Sequence, residues 1–77
     1  MFNLVKKYNI DYFYNLIGKN ITFISDCEFF PNFNVTGILI GIYIKNNEIL
    51  FKLNVKSKKD FIVGSNMKNL KFKINDM

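Results

Sequence analysis

Six carboxylates and one thiol, with no histidine among them, are the side chains in this 77-residue chain suited to acid–base or nucleophilic chemistry. The carboxylates stand apart, at Asp11, Asp26, Glu28, Glu48, Asp60 and Asp76, mostly where the pattern reads as turns or ends. General acid–base catalysis needs groups converging on one substrate within hydrogen-bond reach, and this spacing offers no such pair. Cys27 lies between Asp26 and Glu28, a setting that suits a structural thiol better than a nucleophile. One thiol without imidazoles cannot assemble the usual zinc site. The expectation is a non-enzymatic protein that needs no metal or other cofactor.

Three groups of residues have the chemistry of recognition instead. In "DCEFFPNFN", Phe29, Phe30 and Phe33 crowd into one segment with Asn32 and Asn34. Rings so placed stack on a base or fill a partner's pocket, and the amides add adaptable hydrogen bonds. The second group is basic. The net charge of +5 favours anionic partners. Lys52, Asn54 and Lys56 are expected on one side of the molecule with Asn69, Lys71 and Lys73, and with Asn66 and Lys68 in the adjoining turn. Such a face would bind phosphates in a salt-dependent way; the absence of arginine weakens bidentate reading of bases. The third group is apolar: Ile24, Leu39, Leu50 and Ile62, with Tyr43, fall on the face expected to point away from the interior. Part of that face is expected under the N-terminal segment, and the rest as a self-interface, since monomers rarely expose large apolar patches.

The elements that must position these groups are short. Asp11 is placed to cap a helix over 12–17, and Gly18 to end it in a left-handed conformation. Period-two alternation then predicts strands over 19–25, 35–45, 48–56, 61–64 and 69–75. In the second of these, Ile38, Ile40, Ile42 and Ile44 are assigned one face, and Gly37 and Gly41 are expected to bend it sharply. A loop spans 26–34 around Pro31, Asn46 and Asn47 make a tight turn, and 57–60 turns again. "VGSNMKNLKF" holds a turn in which Gly64 and Asn66 supply unusual backbone angles and Met67 plugs the end of the fold. A phosphate-binding nest usually leads into a helix, whereas a strand follows here. The whole reads as one domain over 1–77: a helical or extended segment over 1–18, then a β-domain over 19–75.

One long loop, two tight hairpins, a short turn and a closing strand, running from "LIGKNITFIS" through "GILIGIYIKNNEILFKL" to "DFIVGSNMKNLKFKI", resemble the SH3-like small-barrel superfold. The resemblance implies a mostly β, five-stranded antiparallel barrel. It carries none of the specific motifs of peptide-binding or RNA-binding members, and such barrels serve many functions.

Asn, Lys, Ile, Phe and Tyr dominate while arginine, alanine and tryptophan are missing, a bias matching A- and T-rich codons in a low-GC bacterium or its phages. Lys6 and Lys7 precede no apolar run of signal-peptide length, and 38–44 is too short to span a membrane. A cytoplasmic protein is expected, in the host cytoplasm if phage-encoded. In size and style the chain is similar to small phage proteins that inhibit host defence. The leading expectation is a homo-oligomer that sequesters an anionic, nucleotide-like ligand; the alternatives are a nucleic-acid-binding barrel and an inhibitor docking on a host protein through the aromatic loop.

Overall fold

A computed structural model describes residues 1–30, 32–56 and 59–75. Pro31, Ser57, Lys58, Asp76 and Met77 lie outside the described residues, and of the turn expected over 57–60 the described part, Lys59 and Asp60, belongs to a strand. Strand β1 (Asn3–Leu4) leads into a 3₁₀ turn (Val5–Lys7) and helix α1 (Ile10–Tyr14). Strands β2 (Asn20–Ser25), β3 (Phe33–Lys45), β4 (Glu48–Val55), β5 (Lys59–Gly64) and β6 (Lys71–Ile74) follow. All pair antiparallel in one six-stranded sheet of order β1-β6-β2-β3-β4-β5. The mostly β, antiparallel expectation holds. The expected closed barrel of five strands does not: β1 adds a sixth strand outside β6, and the sheet stays open with β1 and β5 as its edges.

The helix is shorter and starts earlier than the pattern predicts. Asn9, not Asp11, caps it, its side-chain oxygen accepting from the Tyr12 N–H at 3.1 Å. Asp11 sits in the first turn, where a carboxylate favours the helix dipole. Gly18 does adopt a left-handed φ of 95° after the helix, as expected. Asn46 and Asn47 likewise take φ of 51° and 62° in the β3–β4 hairpin, the twist that primed turns require.

Phe13 shows how the sheet is shaped. Its ring lies 4.9 Å from Phe51 on β4 and 5.2 Å from Phe72 on β6, centroid to centroid. Those strands are three places apart in the sheet, which would be roughly 14 Å on a flat surface. The sheet must therefore curl around the ring. Phe23 on β2 reaches Phe51 at 5.0 Å across the same hollow, and Val5, Leu16, Leu39, Leu53 and Val63 fill the remainder. The N-terminal segment thus plugs the inside of the curl; it does not cover the outer face, where it was expected.

Strand β3 serves both halves of the curl, pairing with β2 through Phe33 to Ile38 and with β4 from Ile38 onward. At its corner a Cβ on Gly37 would come within 2.7 Å of the Asn54 carbonyl oxygen, so only glycine lets the two backbones approach. Just beyond, the register slips between Leu39 and Gly41, leaving Ile40 as the extra residue of a bulge. A bulge reverses which side chains point inward. Leu39 is therefore fully buried, not part of the outer face, while Ile38 and Ile40 point out and Ile42 points in.

Neighbouring substitutions separate these two phases. Leu39→Ala is expected to cost about 2–5 kcal/mol, as for a filled core site. Ile40→Ala, at a position 43% exposed, is expected to stay within about 1 kcal/mol. Urea denaturation of the two variants measures both; equal losses would contradict the bulge.

Candidate functional site

The segment 65–70 between β5 and β6 is tied down at several points. Ser65 Oγ accepts the Ile49 N–H at 2.9 Å while the Ser65 N–H donates to the Ile49 carbonyl at 2.8 Å. The Glu48 carboxylate accepts the Asn66 N–H at 3.1 Å and packs so closely over Gly64 that a Cβ there would collide with it. A side chain at 64 would have to displace that carboxylate. The left-handed residue of the turn is Asn69, with φ 51°, and not Gly64 or Asn66. Met67 packs against the core, closing the end of the fold as expected.

This turn anchors the aromatic loop. The Lys68 carbonyl accepts from both Ser25 Oγ at 2.8 Å and the Asp26 N–H at 3.1 Å. Asn69 Nδ2 donates to the Asp26 carboxylate at 3.2 Å. Within the loop the Phe30 N–H donates to the Cys27 carbonyl, and the Phe33 N–H to the Phe30 carbonyl. Asn32 takes a φ of 65° to reverse the chain. The three phenylalanines consequently diverge. Phe33 turns inward toward Phe61 of β5, with ring centroids 6.1 Å apart, whereas Phe29 and Phe30 remain 86% and 62% exposed.

Between loop and strand lies an apolar groove of about 640 Å³, lined chiefly by Phe30, Phe33, Val35, Phe61, Ile62 and Met67. Cys27 reaches its rim. A second hollow of about 560 Å³ lies on the other side of the loop, where Asp26 and Glu28 line it. Two carboxylates make that hollow a poor receptor for an anion.

The lysine–asparagine face does not assemble. Strands β4 and β6 are separated by β2 and β3, so Lys52, Asn54 and Lys56 are carried away from Lys71 and Lys73 by the curl. Lys52 Nζ is instead 3.5 Å from the Asp60 carboxylate, to which Asn54 Nδ2 also donates at 3.3 Å. Lys73 lies over the Phe2 ring at 5.4 Å, and Lys71 faces Ile24 across the β2–β6 ladder. Lys68 and Asn69 do sit beside the aromatic loop. Tyr43 does not: its ring folds back over Gly41 on the outer sheet surface, opposite Leu50. Of the outward apolar set, Ile62 is 49% exposed and Leu50 and Ile24 are half-buried, so only Leu39 is removed from it.

Phe61 and Val35 were missing from the residues singled out on sequence. Phe61 alternates with Val63 on the inner face of β5, a period-two signal that does not point to a site; only the curl brings it to the groove. Among the described residues no cluster of three or more metal-ligating side chains occurs, and no helix is long and apolar enough to cross a membrane. In comparisons with known proteins, the chain matches no family model, no curated protein and no solved structure.

Ser65→Ala would leave the Ile49 N–H without its acceptor. A loss of about 1–3 kcal/mol is expected for a buried donor so orphaned, together with faster hydrogen exchange at the Ile49 amide. Unchanged exchange there would mean that the Ser65 hydroxyl does not fix this end of β5.

Proposed function

We propose that this chain is a non-enzymatic binding protein that grips a partner protein in the groove between its aromatic loop and β5. The observation that carries the reading is the groove itself. Phe30 stands exposed on its wall, next in sequence to the exposed Phe29, while Phe33, Phe61 and Met67 form a floor packed against the core. Large rings exposed beside a preformed apolar hollow are the usual make-up of a protein-binding hot spot. The loop is held at its base by the Lys68 carbonyl and Asp26, which lowers the ordering cost of binding.

The phage-type inhibitor of host defence belongs to this proposal, with the partner as its host target in the host cytoplasm. So does the resemblance to SH3-like barrels, supported by the long loop, the tight Asn46–Asn47 hairpin and the return of the last strand to β2. The nucleotide-sequestering homo-oligomer is the second reading, supported by Lys68 and Asn69 beside the rings. It ranks lower because Lys52 and Asn54 are engaged by Asp60, and because carboxylates line the adjacent hollow. A nucleic-acid-binding face ranks below both, because its lysines lie on separated strands.

Affinity capture from host lysate is expected to recover one stoichiometric protein with the wild-type chain. Phe30→Ala should cut recovery at least about tenfold, in the range of a hot-spot truncation, while Lys73→Ala leaves it unchanged. Calorimetry against cyclic and linear nucleotides supplies the contrary result. Tight nucleotide binding lost in Lys68→Ala, with no protein recovered, would replace this function with the second reading.

A further inference from the structure

The edge of β5 carries an unused set of main-chain groups. The Ser65 N–H bonds to the Ile49 carbonyl, and the β4–β5 register continues as Leu50 with Gly64, Phe51 with Val63, Lys52 with Ile62 and Leu53 with Phe61. In an antiparallel ladder, hydrogen-bonded pairs alternate. Phe61 and Val63 therefore spend their N–H and C=O groups on β4, and Asp60, Ile62 and Gly64 turn theirs to the free edge. The Gly64 carbonyl is already taken by the Met67 N–H at 3.2 Å. Among the described residues, the N–H and C=O of Asp60 and Ile62 and the N–H of Gly64 have no main-chain partner. Proteins commonly guard such an edge with lysine, proline or a bulge; β5 has a lysine only at its first position, Lys59, and neither proline nor bulge from Asp60 to Gly64. The opposite edge, β1, is two residues long.

The apolar groove runs along this same edge, since Phe61 and Ile62 belong to both. The charge beside the strand is mixed. Asp60 is paired with Lys52 and the Glu48 carboxylate over Gly64 accepts the Asn66 N–H, while the exposed Lys59 at the start of β5 and Lys68 beyond its end have no carboxylate partner among the described residues.

We infer that the partner contributes an extended segment that adds to β5 as a further strand, with apolar side chains at alternate positions in the groove and acidic residues at its ends. This rests on the proposed protein-binding role of the groove and specifies its mode. Main-chain bonds to Asp60, Ile62 and Gly64 hold the segment, the groove selects every second side chain, and the two lysines favour acidic flanks. Strand addition of this kind divides affinity and specificity in that way.

The test uses a nine-residue fluorescent probe peptide with isoleucine, phenylalanine and valine at alternate positions, threonines between them, and two glutamates at each end. Bound probe is expected to slow hydrogen exchange at the Asp60, Ile62 and Gly64 amides of the full chain and leave those of Phe61 and Val63 unchanged. N-methylating the probe on one alternate set of residues should weaken binding at least about tenfold, while methylating the other set has little effect. Ile62→Pro, which removes an outward N–H and leaves the β4 ladder intact, should weaken it similarly. The contrast between the two methylated probes does not depend on any variant folding. No protection at millimolar probe overturns the inference, as does protection in the free protein that rises with its own concentration, which would give the edge to a second copy. A partner lost in Phe30→Ala yet retained in Ile62→Pro also overturns strand addition, and leaves the groove's role standing. A partner insensitive to Phe30→Ala fails the groove itself.

Discussion

The structure depends on one aromatic ring inserted where a closed sheet would have its own side chains. Phe13 touches Phe51 and Phe72 at about the same distance, so it joins two strands that share no hydrogen bonds. A chain of this length buries a smaller fraction of its surface than a large domain does and has no disulfide to help it. Its stability must come from a few large contacts, each edge-to-face pair adding roughly 0.5–1.5 kcal/mol beyond burial. Supplying that ring from the N-terminal segment fills the hollow without the ladder having to close. The open edge of β5 follows from this choice, because burial is satisfied before the last pairing is made.

The same economy shapes the recognition surface. Phe13 and Leu16 are buried and Tyr8 packs against them, so these side chains of the N-terminal segment are spent on the core and not on β5 or the loop. The loop instead takes its anchorage from the β5–β6 turn, where one carbonyl, that of Lys68, accepts two bonds. Lys68 is thus placed by its backbone, and the residue is exposed to solvent. A base of this kind fixes where the rings stand without freezing them against the core. Phe29 and Phe30 stay exposed, while Phe33 is committed to Phe61.

Local signals in the sequence were legible where local chemistry decides the outcome. The paired asparagines at 46 and 47, the left-handed Gly18, the inward faces of β4 and β6 and the corner glycine of β3 all follow from residue type and period. The helix cap moved from Asp11 to Asn9 because either side chain can accept from a first-turn amide, and tertiary packing of Phe13 chose between them. Leu39 was misplaced for a different reason: an unbroken run of apolar residues from Ile38 to Ile44 has no polar partner to mark its phase, so a one-residue bulge leaves no trace in it. The lysine face failed because it required strand order. Alternation tells which side a residue takes, but not which strands are neighbours, and two intervening strands on a curled sheet send equivalent sides in different directions.

That dispersal alters what the positive charge can do. Eleven lysines against six carboxylates give a field felt at a distance, about 8–10 Å at ordinary ionic strength, yet Lys52 is held by Asp60 and Lys73 by the Phe2 ring. A field without a focused site raises the rate of encounter with an acidic partner more than it lengthens the stay. Residence must then come from desolvated contact, since differences among related complexes lie mostly in dissociation. On this molecule the surface able to supply it is the groove beside β5, where rings and unpaired main-chain groups occur together. On the proposed reading, charge brings the partner in and the edge of the sheet decides whether it stays.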